Sequence, residues 1–144
     1  MFVIKPAEPR DYYTIKQFYE AQGKRLELSA DLGMLVARED GFAGLGIYTL
    51  HGDYAVLEDI SLVREEDFEM SIFIGKAVLN SIDLKGIHKV YSNAESVKRT
   101  LRALGFKSVD AAEQESLGDV TENLPYAFFL SLERYFSSPC NNKQ

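Results

Sequence analysis

The feature that most constrains the fold is a change of hydrophobic period between residues 54 and 109. Residues 54–63 have the composition of a strand, whereas apolar side chains then recur every three or four residues until Gly86, as on a helix packed against a sheet. Residues 87–92 form the next strand, and two strands joined through a helix lie parallel in a right-handed crossover. A further helix and a short strand follow, which predicts a βαβαβ arrangement for this region.

The rest of the chain completes a mixed sheet. The other predicted elements are a strand at 2–5, a helix from 12 to 22, a short helix at 25–31, strands at 34–37 and 42–50, a polar loop at 111–123 and an aromatic strand at 126–136. The order βα(α)βββαβαββ belongs to the α/β class, with helices on both faces of the sheet. We expect one domain over residues 1–136, followed by a disordered tail at 137–144.

Composition argues against several classes of function. The net charge of −6 and the pI near 4.9 disfavour nucleic acids and anionic membranes as partners, because both require clustered Lys and Arg. No apolar segment approaches the ~18 residues of a spanning helix, and the N-terminus has no signal pattern, so we expect a cytoplasmic protein. His51 and His88 have no ligand partners at metal-binding spacing, so no metal site is expected.

Two short motifs occur in this element order at the separation found in a known family. Residues 74–79 read Ile-Gly, two residues and two aliphatics, and residues 104–106 read Leu-Gly-Phe. In both respects the chain resembles the GNAT acyl-CoA N-acyltransferases, and residues 69–79 resemble their pyrophosphate loop. The resemblance implies acetyl-CoA or another acyl-CoA as co-substrate and a small amine as acceptor. It also implies that the pantetheine lies between two splayed parallel strands, here 58–63 and 87–92.

The resemblance further implies a catalytic base at Glu58, and Tyr91 and Asn93, at the end of the second splayed strand, are candidates to supply the general acid or to hold the amide. The general base of the family is often a carboxylate early in the strand before the loop, which is Glu58 or Asp59 here. Because strand residues alternate between faces, only one of the two can point into the cleft. Glu58 shares its face with Ile60 and Leu62, and an aliphatic environment suits a base near neutral pH. The alternatives are two solvent-facing carboxylates and, for Tyr91, a core tyrosine.

Expected contacts to the cofactor lie on the two strands and the helix between them. They are Ile60, Ser61, Leu62, Val63, Ile74, Gly75, Lys76 and Asn93. The chain departs from the family pattern at Met70 and Phe73 in the loop and at Leu101, where many members have a tyrosine acid. Residues 65–69 also carry four carboxylates. These departures favour the alternative of a catalytically degenerate binding or assembly module with the same fold.

The aromatic strand at 126–136 has bulky side chains on both faces. Either a second subunit in a homodimer or the protein's own core can cover them.

Overall fold

The computed structural model describes residues 2–109 and 126–136. Its strands are β1 Val3–Pro6, β2 Leu32–Arg38, β3 Phe42–Leu50, β4 Tyr54–Leu62, β5 Lys89–Ser92, β6 Lys107–Ser108 and β7 Phe128–Ser131. Its α-helices are α1 Tyr12–Ala21, α2 Phe68–Asp83 and α3 Lys98–Leu104, with 3-10 turns at Pro9–Asp11 and Glu95–Val97. Over these residues the seven strands form one sheet in the order β1-β2-β3-β4-β5-β7-β6.

The sheet is mixed, as the sequence predicts. Strands β1 to β4 form an antiparallel meander, β4 and β5 are parallel, and β7 is antiparallel to both β5 and β6. Residues of α1 pack on one face of the sheet, and residues of α2 and α3 pack on the other. The predicted α/β class and the helices on both faces are therefore confirmed.

Helix α2 presses a broad apolar stripe onto the sheet. Its large buried side chains are Met70, Ile74, Val78, Leu79 and Ile82. Burying one such side chain contributes about 1.5–3 kcal/mol, so this face holds the helix in place. The contact is close because β3 has glycines beneath the helix: a Cβ on Gly46 would lie 2.7 Å from Cγ2 of Ile74. After the helix the chain turns at Gly86, which has a φ of +79°.

Two predicted elements differ from the structure. Residues 25–31 form no helix, because Leu28 is exposed and the segment lacks the apolar face that holds a short helix. The aromatic strand is shorter than predicted: β7 ends at Ser131, whose partner Lys89 is the first residue of β5. The predicted loop at 111–123 and the tail at 137–144 lie outside the described residues.

The protein's own core covers both faces of β7. Phe128 packs among the residues under α2, whereas Phe129 packs with Val56 and Tyr91 on the other face. The core explanation therefore accounts for these aromatic residues, and a homodimer stays a prediction. Across residues 2–109 and 126–136, no helix has the length and apolar character needed to cross a membrane.

Candidate functional site

A slot opens where β4 and β5 separate. The strands pair in parallel from Tyr54 and Lys89 as far as Leu57 and Ser92, where the Ser92 hydroxyl donates a 2.7 Å hydrogen bond to the Leu57 carbonyl. β4 then continues through residues 58–62, and the described part of the chain supplies no strand partner there on the β5 side. β5 ends at Ser92, so β4 continues alone beside the slot, and the predicted splaying of two parallel strands stays a prediction.

The open edge of β4 presents backbone hydrogen-bonding groups to the slot. On the opposite edge, the N–H of Val63 donates to the carbonyl of Ala43 in β3 at 2.9 Å. Because backbone groups of successive strand residues point to opposite edges, the N–H and C=O groups of Ile60 and Leu62 point into the slot. An extended ligand that carries amides can pair with these groups in the manner of an added strand.

A β-bulge at Glu58 sets the direction of the neighbouring side chains. Ile47 pairs with Asp59 and Tyr48 pairs with Leu57, so Glu58 has no residue directly opposite it. Glu58 is exposed and turns with Asp59 towards the α1 side of the sheet. The predicted aliphatic environment of Glu58 is wrong, because the strict alternation of faces does not continue through a bulge.

Asp59 is the buried carboxylate of the site, with 8% exposure. Its Oδ2 accepts hydrogen bonds from the hydroxyls of Tyr19 at 2.5 Å and Ser61 at 2.7 Å, and from the ammonium of Lys24 at 2.9 Å. Lys24 also donates to Oγ of Ser61 at 2.9 Å. Burial raises the pKa of Tyr19, and its hydrogen bond to Asp59 and the charges of Asp59 and Glu58 raise that pKa further, so the phenol stays protonated. The network ties the end of α1 to the second half of β4.

Glu58 belongs to a separate group of polar side chains at the closed end of the slot. Its Oε2 accepts the hydroxyl hydrogen of Thr49 at 2.7 Å, and Oγ1 of Thr49 lies 2.8 Å from Nε2 of His51. Because a hydroxyl has only one hydrogen, Thr49 accepts from His51, whose Nε2 must then carry a hydrogen. Glu58 is therefore an exposed, hydrogen-bonded carboxylate directly after Leu57, the last residue of β4 that pairs with β5.

Tyr91 lies in an aromatic cluster beside Glu58. It is 1% exposed, and its ring centroid lies 5.4 Å from those of Tyr54 and Tyr126 and 5.0 Å from that of Phe129. Burial raises the pKa of Tyr126, and interactions with Tyr54 and the charge of Glu58 raise it further, which places Glu58 near this cluster. Tyr91 pairs with Val56, two residues before Glu58, and its side chain is part of the core, so its contact with a donor stays a prediction.

A groove of about 300 Å³ follows the second half of β4, between the end of α1 and the 3-10 turn that contains Ser96. Its volume is at the lower end of the range for small-molecule sites. The lining residues are Gln22, Lys24, Ile60, Ser61, Leu62, Glu65 and Ser96. Three of the predicted cofactor contacts therefore lie together along one side of the groove.

The segment predicted as a pyrophosphate loop, residues 69–79, is helical throughout and belongs to α2. The helix begins at Phe68 with Asp67 as its N-cap, so Ile74 and Gly75 lie about two turns inside it. Their predicted role as phosphate contacts is wrong, because N–H groups inside a helix already bond to the preceding turn. Gly75 instead allows α3 to approach: a Cβ there would lie 2.5 Å from Cδ1 of Leu104.

Other predicted contacts have different surroundings. Val63 is 53% exposed and uses its N–H to hold β3, and Oδ1 of Asn93 accepts the N–H of Ala127 at 2.7 Å before β7. Lys76 is exposed on α2, and its contact with a cofactor stays a prediction. Phe73 does not obstruct the slot, since it packs on Phe2 with ring centroids 4.9 Å apart.

Sequence reasoning missed the residues that surround the two carboxylates. Tyr19 and Lys24 lie 40 and 35 positions before Asp59, and no local pattern links them to it. The sequence pattern indicates only one of these contacts: Asp59 and Ser61 share a strand face, which predicts that their side chains lie close together. Thr49 meets Glu58 only through the β3–β4 hairpin.

The fold is similar to that of several solved acetyltransferases. The ribosomal-protein-S18-alanine N-acetyltransferase of Escherichia coli superposes with a TM-score of 0.64 at 12% identity, over 75% of this chain and 79% of that chain. A GNAT acetyltransferase of Staphylococcus aureus Mu50 has a TM-score of 0.66 at 9% identity, over 92% and 99%. A GNAT acetyltransferase of Streptococcus pneumoniae has a TM-score of 0.62 at 12% identity, over 75% and 85%.

By sequence, the chain matches no family model and no curated protein. Because the sequence identities are only 9–12%, the structural similarity establishes the fold alone.

Proposed function

Because the chain has the GNAT fold, we propose that it transfers an acyl group from a pantetheine thioester, the reactive end of an acyl-CoA, to a small primary amine. The observation that carries the proposal is the slot along residues 58–62, with the accessible carboxylate of Glu58 at its closed end. The solved neighbours described above are acetyltransferases, which supports acyl transfer as the class of reaction.

The residues of the slot fit the pantetheine part of such a donor. Its two amide groups match the backbone groups of Ile60 and Leu62, and the groove gives the arm room between α1 and Ser96. The thioester would then lie near Leu57 and Ser92, where the strands meet. Glu58 is the next residue of β4 and lies within reach of an amine that approaches this point from the α1 side.

The reaction balances with one base and one acid. The amine nitrogen attacks the carbonyl carbon, and a C–N bond forms as the C–S bond breaks. Glu58 accepts the proton that the amine loses, and the hydrogen bond from Thr49 orients its carboxylate. The leaving sulfur takes up a proton, for which Tyr91 is the predicted donor. Asp59 is not the base in this scheme, because one of its oxygens already accepts three hydrogen bonds.

The proposal is tested by Glu58→Gln in an assay of thiol release from acetyl-pantetheine and acetyl-CoA with a panel of small primary amines. General-base catalysis is worth about 10²- to 10⁴-fold, so kcat should fall by at least 100-fold while the Kd for pantetheine changes little. The matched control is Glu20→Gln, which removes an exposed carboxylate from α1 and should leave kcat unchanged.

An unaltered kcat in Glu58→Gln would remove Glu58 from catalysis. If the unmodified protein releases no thiol above background and binds no pantetheine, the proposed transfer is refuted. The alternative of a degenerate binding module with this fold would then replace it.

A further inference from the structure

The groove beside β4 leads towards the start of α2. Residues 63–67 connect the end of β4 to the first turn of this helix, and Glu65 of this connection lines the groove. A donor with its thioester at the closed end of the slot would therefore extend its phosphate groups towards the N-terminus of α2. An uncapped helix N-terminus attracts phosphate, because its first N–H groups and the helix dipole both favour an anion.

In this chain a carboxylate of the protein already holds that position. Oδ1 of Asp67 accepts the N–H of Met70 at 3.0 Å, and the carbonyl of Asp67 accepts the N–H of Ser71 at 3.2 Å. The N–H of Phe68 bonds to the carbonyl of Glu66 at 2.8 Å. The N–H groups of Phe68, Met70 and Ser71 in the first turn thus have acceptors within the chain, and the carboxylate of Asp67 supplies the anion.

The surrounding charge also opposes a phosphate group. Four carboxylates lie at the beginning of α2, those of Glu65, Glu66, Asp67 and Glu69. Arg64 precedes these carboxylates in the chain, Lys24 lines the groove together with Glu65, and the guanidinium of Arg99 stacks on the ring of Phe68 at 3.7 Å. Lys24 is already paired with Asp59, so the four carboxylates outnumber the two arginines, and we expect the charge around this turn to disfavour an anion at low salt.

We propose that the protein recognises its donor through the pantetheine thioester alone, and that the nucleotide end of coenzyme A contributes no affinity. This inference rests on the proposed function and specifies its donor: an acyl-pantetheine is bound as well as an acyl-CoA. The phosphates of coenzyme A remain in solvent, because Asp67 caps the helix that would otherwise receive them.

Isothermal titration of the full chain with pantetheine and with coenzyme A tests the inference. At low salt we expect coenzyme A to bind no more than about threefold tighter than pantetheine, and more weakly if the acidic turn repels its phosphates. Raising the salt to 0.5 M should bring the two Kd values together, because screening removes the repulsion.

Two variants assign the effect to Asp67. Asp67→Ser keeps a good N-cap but removes the charge, so coenzyme A should bind about two- to fivefold tighter while pantetheine is unaffected. Asp53→Asn is the matched control, since it removes an exposed carboxylate from the β3–β4 turn and should change neither Kd.

Each outcome has a definite consequence. Coenzyme A binding more than threefold tighter than pantetheine overturns the inference and leaves the proposed function standing. If Asp67→Ser binds coenzyme A with the same Kd as Asp53→Asn, the role of Asp67 is overturned. No binding of either compound refutes the donor slot, and with it both the inference and the proposed function.

Discussion

The substitution Asp59→Asn should destabilise the protein by a predictable amount. Two hydroxyls donate to this carboxylate, those of Tyr19 at 2.5 Å and Ser61 at 2.7 Å, and both side chains are buried. Replacing the charged acceptor with a neutral amide weakens each bond by about 1 kcal/mol. The ion pair with Lys24 is partly solvated, since the lysine side chain is 36% exposed, so its loss adds only about 1 kcal/mol.

These contributions predict a decrease of about 3 kcal/mol in the free energy of unfolding. Urea denaturation followed by far-UV circular dichroism measures it, and the midpoint should fall by roughly 1 M or more for a domain of this size. The control is Glu58→Gln, whose exposed side chain predicts a change within about 0.5 kcal/mol. The two substitutions would thus have different effects, since Asp59→Asn would lower stability and Glu58→Gln would lower kcat.

A double-mutant cycle isolates the ion pair within the network. Combining Asp59→Asn with Lys24→Met should show a coupling energy of about 1 kcal/mol, because the two groups are in direct contact. If Asp59→Asn unfolds at the same urea concentration as the unmodified protein, the network contributes nothing to stability and the calculation above is refuted.

Two further predictions follow from buried tyrosines and from the contact between helices. Burial is the main cause that raises the pKa values of Tyr19 and Tyr48 above the ordinary value. The folded state therefore favours the neutral phenols, and the stability that this contributes is present below about pH 10 and is lost as the pH rises above it. The urea midpoint should therefore fall between pH 9 and pH 11, and fall less in Tyr19→Phe; an equal fall in both proteins would contradict the assignment. Gly75→Ala should lower the free energy of unfolding by about 1 kcal/mol, because crowding against Leu104 outweighs the gain in helix propensity. Its affinity for coenzyme A should not change, and a loss of that affinity at unchanged stability would place Gly75 in contact with the donor instead.

Local patterns in the sequence predict most of the architecture. Alternating apolar residues and turn glycines predict β3 at its observed bounds. The apolar spacing of three and four residues begins at Met70, two residues after the observed start of α2 at Phe68. The parallel pairing of β4 with β5 follows from the intervening helix, because a helical connection returns the chain to the end of the sheet where the first strand began. These features depend on neighbours in the chain, and a single sequence contains that information.

The surroundings of the two carboxylates were decided only by the tertiary structure. Face alternation made Glu58 the inward residue, whereas a one-residue bulge against β3 exposes it and buries Asp59. A bulge depends on how two strands pair across a hairpin, so β4 alone does not contain the signal for it. The Asp59 partners Tyr19 and Lys24 lie far from it in the sequence, in α1 and just after that helix, and reach Asp59 because α1 packs on this face of the sheet.

The start of α2 differs from its prediction for the same kind of reason. The motif around Gly75 suggested a phosphate-binding loop, but that glycine serves a contact with α3, and the helix begins earlier, at a cap made by Asp67. The sequence by itself determined which segments are strands and helices and in what order they follow. Packing between distant elements determined which polar groups remain available for chemistry, because only the assembled fold decides what each side chain touches.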